Sequence, residues 1–366
     1  MTEGKHSIDI VYLDFRKAFD TVPHQRLLEK LKSYGITGSI HEWIKNFLTG
    51  RTQKVKINTH LSSKTEVHSG IPQGSILGPI LFTIFINDLP EGLKSTCKIF
   101  ADDTKIYNST IYNSSIQDDI THLQDWSNKW HLYFNISKCK IMHIGTRNNN
   151  PRHSYYMKQE QIEKEIETCD QEKDLGVIFD EKLDFNKHIE SAIGKANQML
   201  GVIKRTFSYI DKNIFLKLYK SMVRPHLEYG NIIWHPLYKK QSISIERVQR
   251  RATKLLRECK KMTYLERLKY LQLHSLKGRR LRGDLIETFK IFNGFTDLEV
   301  DKFFMQPASD RTRNSERKIF IQFYKNNIRR NFFSIRVAPH WNALTNTIPC
   351  DMLLTPTYLR TLWIMT

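Results

Sequence analysis

Three aspartates have the residue type and the placement for metal-assisted chemistry. Asp14 closes the apolar run IDIVYLDF, and Asp102 and Asp103 stand side by side in CKIFADDTKIY. Phosphoryl transfer develops charge on both the attacking and the leaving oxygen, and two divalent ions about 3.5–4 Å apart, bridged by carboxylates, neutralise it. Taken singly each acid is ordinary, because Asp is common in turns for local backbone reasons. Their weight comes from context. A strand ending at Asp14 beside a hairpin tipped by Asp102 and Asp103 would gather all three, since paired strands lie only ~4.8 Å apart. Asp20 and Asp88 are set aside: Asp20 fits the turn before Pro23, and Asp88 a helix end beside Pro90. His24 and His143 have no ligand partner at helical spacing, so structural or solvated roles are expected of them and no zinc site is proposed.

The elements that must position these acids follow from apolar periodicity. IDIVYLDF is rich in β-branched and aromatic residues and reads as a strand, and Leu27, Leu28, Leu31 and Tyr34 recur at helical spacing until Gly35. A second helix places Ile40, Trp43, Ile44 and Phe47 on one face before Gly50, and QKVKIN reads as an exposed strand. The Gly/Pro-punctuated turn SGIPQGSILGP feeds a helix through Leu81, Phe82, Phe85 and Ile86 that should be deeply buried. CKIFADDTKIY carries apolar arms on either side of its acids and predicts a tight hairpin with Asp102 and Asp103 at the tip. Ile116, Ile120, Leu123, Ser127 and Trp130 predict another helix, LYFNISKCKIMHIG a return to strand, and DLGVIFDEKLDF a hairpin. From His188 to about Phe292 the pattern is mostly helical and strongly basic. The expected organisation is a first domain over 1–150, a connecting hairpin region over 151–187, a helical domain over 188–296, and a tail over 297–366 whose structure the pattern leaves open.

Lysine and arginine total 57 against 38 acids, a net charge of +19 in 366 residues. Such an excess points to a polyanionic partner, either nucleic acid or an anionic membrane surface. The most apolar run, Ile76 to Ile86, is broken by Gly78 and Pro79 and falls short of the roughly 20 residues that cross a bilayer. The first residues carry no basic region followed by an apolar stretch and a cleavage site, so an intracellular protein without membrane partners is expected, nuclear or cytoplasmic. Cys97, Cys139, Cys169, Cys259 and Cys350 are odd in number and lack CxxC spacing, which fits reduced, packed thiols.

Three segments, YLDFRKAFDTVPH, SGIPQGSILGPILFTIFINDLP and FADDTKIY, resemble in this order the A, B and C motifs of reverse transcriptases. The likeness is strongest to the non-LTR, LINE-type retrotransposon group, of jockey-like or chicken-repeat-like kind. It extends into LYKSMVRPHLEYGNIIW, ERVQRRATKLL, RRLRGDLIETFKIF and NFFSIRVAPHWNAL, whereas the ending from Thr345 departs from it. The resemblance implies an α+β fold: a polymerase palm, an antiparallel sheet backed by helices, followed by a mostly α-helical, basic, thumb-like domain. It implies an RNA-directed DNA polymerase that joins dNTPs to a primer 3′-hydroxyl on an RNA template, using two Mg2+ ions or Mn2+ in their place. On this basis Asp14, Asp102 and Asp103 would hold the metals and Lys138, in NISKCK, would protonate the leaving pyrophosphate. Phe19 would stack under the incoming sugar and exclude a 2′-hydroxyl, and Gln73 and Gly74 of the PQG turn would contact the nucleotide. With only 13 residues ahead of Asp14, the chain is expected to lack the fingers and the endonuclease that family members carry. A catalytically inactive or domesticated remnant that only binds nucleic acid is the alternative.

Overall fold

The structure, a computed structural model, describes residues 7–110, 113–145, 152–159, 162–305, 318–324 and 326–347. It divides into two compact units, Met1–Glu172 and Lys173–Thr366.

The first unit is built on one five-stranded sheet. β1 (Ile8–Leu13) runs through its centre and alternates, with Asp9, Val11 and Leu13 turned into the core. It pairs antiparallel with β3 (Asp103–Ser109) on one side and β4 (Lys140–Ile144) on the other. β2 (Thr96–Phe100) lies outside β3, and the two-residue β5 (Glu167–Thr168) runs parallel to β4. Helices α1 (His24–Ser33), α2 (Gly38–Leu48), α3 (Leu77–Ile86) and α4 (Asn113–Trp130) complete the unit. Val11, Ile106 and Ile141 of the sheet share one core with Leu27 and Leu31 of α1, Phe82 and Phe85 of α3, and Ile120 and Leu123 of α4. Each such side chain contributes ~2 kcal/mol on leaving water. The α+β expectation, an antiparallel sheet backed by helices, holds.

Two readings of the pattern need correction. In α2 the buried stripe is His41, Ile44 and Leu48, while Ile40 and Trp43 are exposed. The stripe is rotated because His41 turns inward, its ring nitrogen bonded to the Leu28 carbonyl at 3.1 Å. The return to strand after α4 is shorter than LYFNISKCKIMHIG implies. Only Lys140–Ile144 is a strand, and Asn135 to Lys138 instead form a turn held by the amide of Lys138 donating to the Asn135 carbonyl.

Several charged groups buried in this unit are paired. Asp9 and His143 face each other across β1 and β4, with His143 Nδ1 2.6 Å from Asp9 Oδ1, and the Tyr155 hydroxyl donates to Asp9 Oδ2 at 2.8 Å. Asp88 serves Lys30, a lysine only 3 % exposed whose ammonium lies 2.5 Å from Asp88 Oδ1 and 3.9 Å above the Trp130 ring. Trp126 Nε1 donates to the same oxygen at 2.9 Å. Burial lowers the Lys30 pKa against the opposing pull of Asp88. His143 and Asp88, both set aside as ligands, are thus structural.

Next along the chain comes a hairpin of Gln171–Asp174 and Val177–Asp180. It turns at Leu175 and Gly176, one arm earlier than DLGVIFDEKLDF suggests, because Asp180 ends the strand by accepting from the amides of Lys182, Asp184 and Phe185. Helices α5 (Asn186–Thr206), α6 (Lys212–Leu218), α7 (Arg224–Glu228), α8 (Lys239–Thr253), α9 (Tyr264–Leu271) and α10 (Leu276–Phe292) follow, with the turn of π-helix Tyr219–Val223 joining α6 to α7. Their core includes Ile189, Leu200, Tyr219, Val248 and Leu256. A third apolar cluster forms where α11 (Phe333–Thr347) packs on α10, with Trp341 stacked on Phe292 at 5.4 Å. Arg336 of α11 grips Asp284 of α10 through two hydrogen bonds of 2.9 and 2.7 Å. Residues 306–317 and 348–366, which carry Cys350 and most of the divergent ending, lie outside the described residues. Cys97, Cys139, Cys169 and Cys259 are unbridged, and burial pushes the thiols of the first three up to about 11.

Candidate functional site

The β1–β3 ladder ends at the pair Leu13 and Thr104, so one further step sets Asp14 opposite Asp103. Directly opposed residues have their Cβ atoms about 5 Å apart. Phe100 pairs with Asp103, which leaves Ala101 and Asp102 as the tip of the predicted hairpin, and Ala101 takes the left-handed conformation at φ +52°. All three acids therefore meet at one end of the sheet. Asp103 is exposed, and Asp14 and Asp102 are half-buried.

The turn that precedes β4 fixes Asp14 from the other side. Its carbonyl accepts from the Asn135 amide at 2.7 Å, Phe15 stacks on Phe134 at 4.4 Å, and the Arg16 amide donates to the Tyr133 carbonyl. That same turn carries Lys138, whose ammonium lies 3.5 Å from Asp14 Oδ2. The lysine side chain is 67 % exposed and the aspartate 37 %, so solvent screens the pair and it contributes about 1 kcal/mol or less. Asp14 Oδ2 is itself buried without a hydrogen-bond partner. Among the described residues no three His, Cys, Asp or Glu side chains gather closely enough to hold an ion. The backbone thus assembles the acids, while the Asp14 side chain is turned to Lys138. Oxygen-only carboxylate donors with an orphaned Oδ2 have the chemistry that suits Mg2+ or Mn2+.

Phe19 sits in the short helix that follows Asp14, half-buried, with its ring stacked on Phe82 at 4.5 Å. The PQG turn is stitched to that same segment. Ile71 and Gly70 donate their amides to the carbonyls of Phe19 and Val22, and Gln73 Nε2 donates to Asp20 Oδ1 at 3.0 Å. Gly70, which the motif reading passed over, is the glycine the turn requires. At φ +87° its missing Cβ would lie 2.6 Å from the Asp20 carbonyl oxygen. Its own carbonyl accepts from His24 Nε2 at 2.8 Å and Arg51 Nη2 at 2.9 Å. Burial lowers the His24 pKa. Gly74, at φ +81°, faces open space, and Gln73 is exposed. Asp20, Gly70 and Arg51 therefore hold the PQG turn against the segment after Asp14, and the glycine preceding Ile-Pro-Gln-Gly was the available signal.

Within the second unit, a groove beside α5 and α8 is lined by Lys204, Arg251, Lys254, Arg257 and Lys260 together with the exposed rings of Phe207 and Tyr209. No acid lines it. Cations supply attraction to phosphates and open aromatic faces accept stacked bases. None of the described helices is long and apolar enough to cross a membrane.

Residues 2–179 match the family described as reverse transcriptase (RNA-dependent DNA polymerase), and this stretch is a reverse transcriptase domain. Its relatives place it in the non-LTR retrotransposon type. The chain is 26% identical over 269 residues to the probable RNA-directed DNA polymerase from transposon X-element of Drosophila melanogaster, covering 70% of this chain and 29% of that protein. It is 31% identical over 248 residues to the RNA-directed DNA polymerase from mobile element jockey of Drosophila funebris, covering 62% and 26%. The chain thus spans less than a third of the length of these relatives. A solved telomerase from Candida tropicalis, in complex with a fragment of telomeric RNA, covers 73% of this chain and 49% of its own at 12% identity. The TM-score of that likeness is 0.35.

Proposed function

We propose that this chain extends a DNA primer on an RNA template, with Asp14, Asp102 and Asp103 holding two Mg2+ ions. The observation that carries the reading is the β1–β3 register, which ends at Leu13 and Thr104 and so brings Asp14 to the end of the sheet where Asp103 and the hairpin tip stand, inside the family match. When bound, such ions neutralise the charge that develops on the attacking and leaving oxygens. The chain's own residues have separate tasks. Lys138, exposed beside Asp14, gives a proton to the departing pyrophosphate. Phe19 bounds the sugar side, and Gln73 and Gly74 present side chain and bare backbone to the incoming dNTP. The basic groove of the second unit holds the template and primer backbones without sequence choice.

The pairing of Asp14 with Lys138, together with that groove, favours a second reading: a chain that only binds nucleic acid. Primer extension by the purified chain with Mg2+, dNTPs and an RNA template separates the two. Wild type should extend, and Asp102→Asn should lose roughly a hundredfold or more in rate with RNA binding intact. If wild type is no faster than Asp102→Asn, the polymerase reading fails, and retained salt-sensitive binding then supports the binding-only chain.

A further inference from the structure

The second unit holds a buried arginine that its own fold does not satisfy. Arg280 of α10 is 1 % exposed, and Nη2 donates to Ser242 Oγ at 3.0 Å, but Nε and Nη1 have no hydrogen-bond partner. The carboxylates nearest it are engaged elsewhere: Asp284 by Arg336, Glu246 by Tyr264 and the Leu276 amide, and Glu228 by Arg279. A buried charge left in this way is costly, because the surroundings do not replace the water it lost. Arg280 lines a cleft of about 620 Å³ with His235, Lys239, Ser242, Lys277 and Arg330, and none of the residues lining it is acidic. His235 Nδ1 is also buried and unpartnered. The N-terminal end of α8, a 15-residue helix, opens on the same cleft at Lys239 and adds its partial positive charge.

We propose that this cleft is an anion site that takes a phosphate group of a nucleic-acid strand. The guanidinium keeps the N–H groups of Nε and Nη1 unpaired, and charge-assisted donors of this kind suit phosphate oxygens. Lys239, Lys277 and Arg330 are exposed around it, so they can meet neighbouring phosphates of a polymer as well as the one held by Arg280. The inference rests on the second unit's being a nucleic-acid grip and adds a defined seat within it.

The test is titration of the full chain with a short single-stranded RNA at stepped salt concentrations, alongside melting in inorganic phosphate against chloride at equal ionic strength. Arg280→Met removes the buried charge, and Lys277→Gln with Arg330→Gln alters only the exposed rim, where misfolding is not at issue. Each variant should bind RNA roughly tenfold more weakly, and the slope of log affinity on log salt should fall by about one per phosphate contact removed. Phosphate should raise the melting temperature of wild type and not of Arg280→Met. Unchanged RNA affinity and slope in both variants overturns the proposal. Phosphate stabilisation without any change in RNA binding also overturns it, since the site then serves free phosphate. Lys254→Gln with Arg257→Gln in the groove keeps the two ideas apart. If only that variant weakens RNA binding, the grip stands and the cleft falls. If wild type binds no RNA, both fall.

Discussion

Lys30 shows how one residue can mislead a reading of the chain. In the sequence it is one of 57 basic residues, and lysines are almost never fully buried unless paired. The fold nevertheless encloses it among Phe85, Trp126 and Trp130, with Asp88 as its counter-ion. Asp88→Asn would leave that ammonium uncompensated and should cost about 3 kcal/mol of stability. Urea denaturation reads this directly, and adding Lys30→Met to Asp88→Asn should recover most of the loss. A double variant as unstable as the single one would show that Asp88 acts through something else. Asp14, Asp102 and Asp103 were legible because their neighbours are apolar and β-prone. The partners of Lys30, Asp9 and Arg280 were not, because each is tens of residues away in sequence and no periodicity encodes it.

At the level of elements, the motif A turn and the PQG turn behave as one piece. Four hydrogen bonds tie residues 69–73 to residues 19–22, two between backbone groups, one from Ser69 to the Asp20 carbonyl, and one from Gln73 to Asp20. Gly70→Ala should break this seam, since a Cβ 2.6 Å from a backbone oxygen forces the strands of the turn apart. The expected result is a loss of about 2 kcal/mol or more in stability, with the bulk of any primer-extension activity, whereas Gly74→Ala meets no atom and should pay only for its positive φ. Equal effects at the two glycines in a melting experiment would contradict the seam. Helix existence was readable from spacing in α1, α3 and α4. Helix orientation was not readable in α2, where one inward histidine outweighed two larger apolar residues.

At the scale of the whole molecule, buried histidines tie the stability of the second unit to acid. His188 is buried against Trp234, accepts from the Ile178 amide through Nδ1, and has its pKa lowered to about 4 by burial and by Lys195. The unfolded chain takes up this proton near 6.5, the folded chain only near 4. Stability of the second unit is therefore full above 6.5, falls as pH drops between 6.5 and 4, and is insensitive to this group below that. The fall is of order 3 kcal/mol at most. His235, lowered to about 3, adds in the same direction. His188→Gln keeps an acceptor for Ile178 without titrating, so it should lose less stability than wild type between pH 7 and pH 5. Equal losses in the two proteins would remove His188 from the account. None of this could be read from composition, because a histidine's proton affinity is set by the walls that fold around it.

β1 carries two aspartates with opposite fates. Asp9 is sealed in the core by His143 and Tyr155, while Asp14 stands at the open end of the sheet. They are an odd number of positions apart, so a pairing displaced by one residue would exchange their faces. Asp9 would then lose its partners and Asp14 would be driven inward, two penalties for one error. The sealed aspartate works as a key that admits a single alignment. Mutational tolerance along this strand should follow from that: the aliphatic positions can drift among Val, Ile and Leu while Asp9, remote from any reacting atom, is as constrained as Asp14 itself.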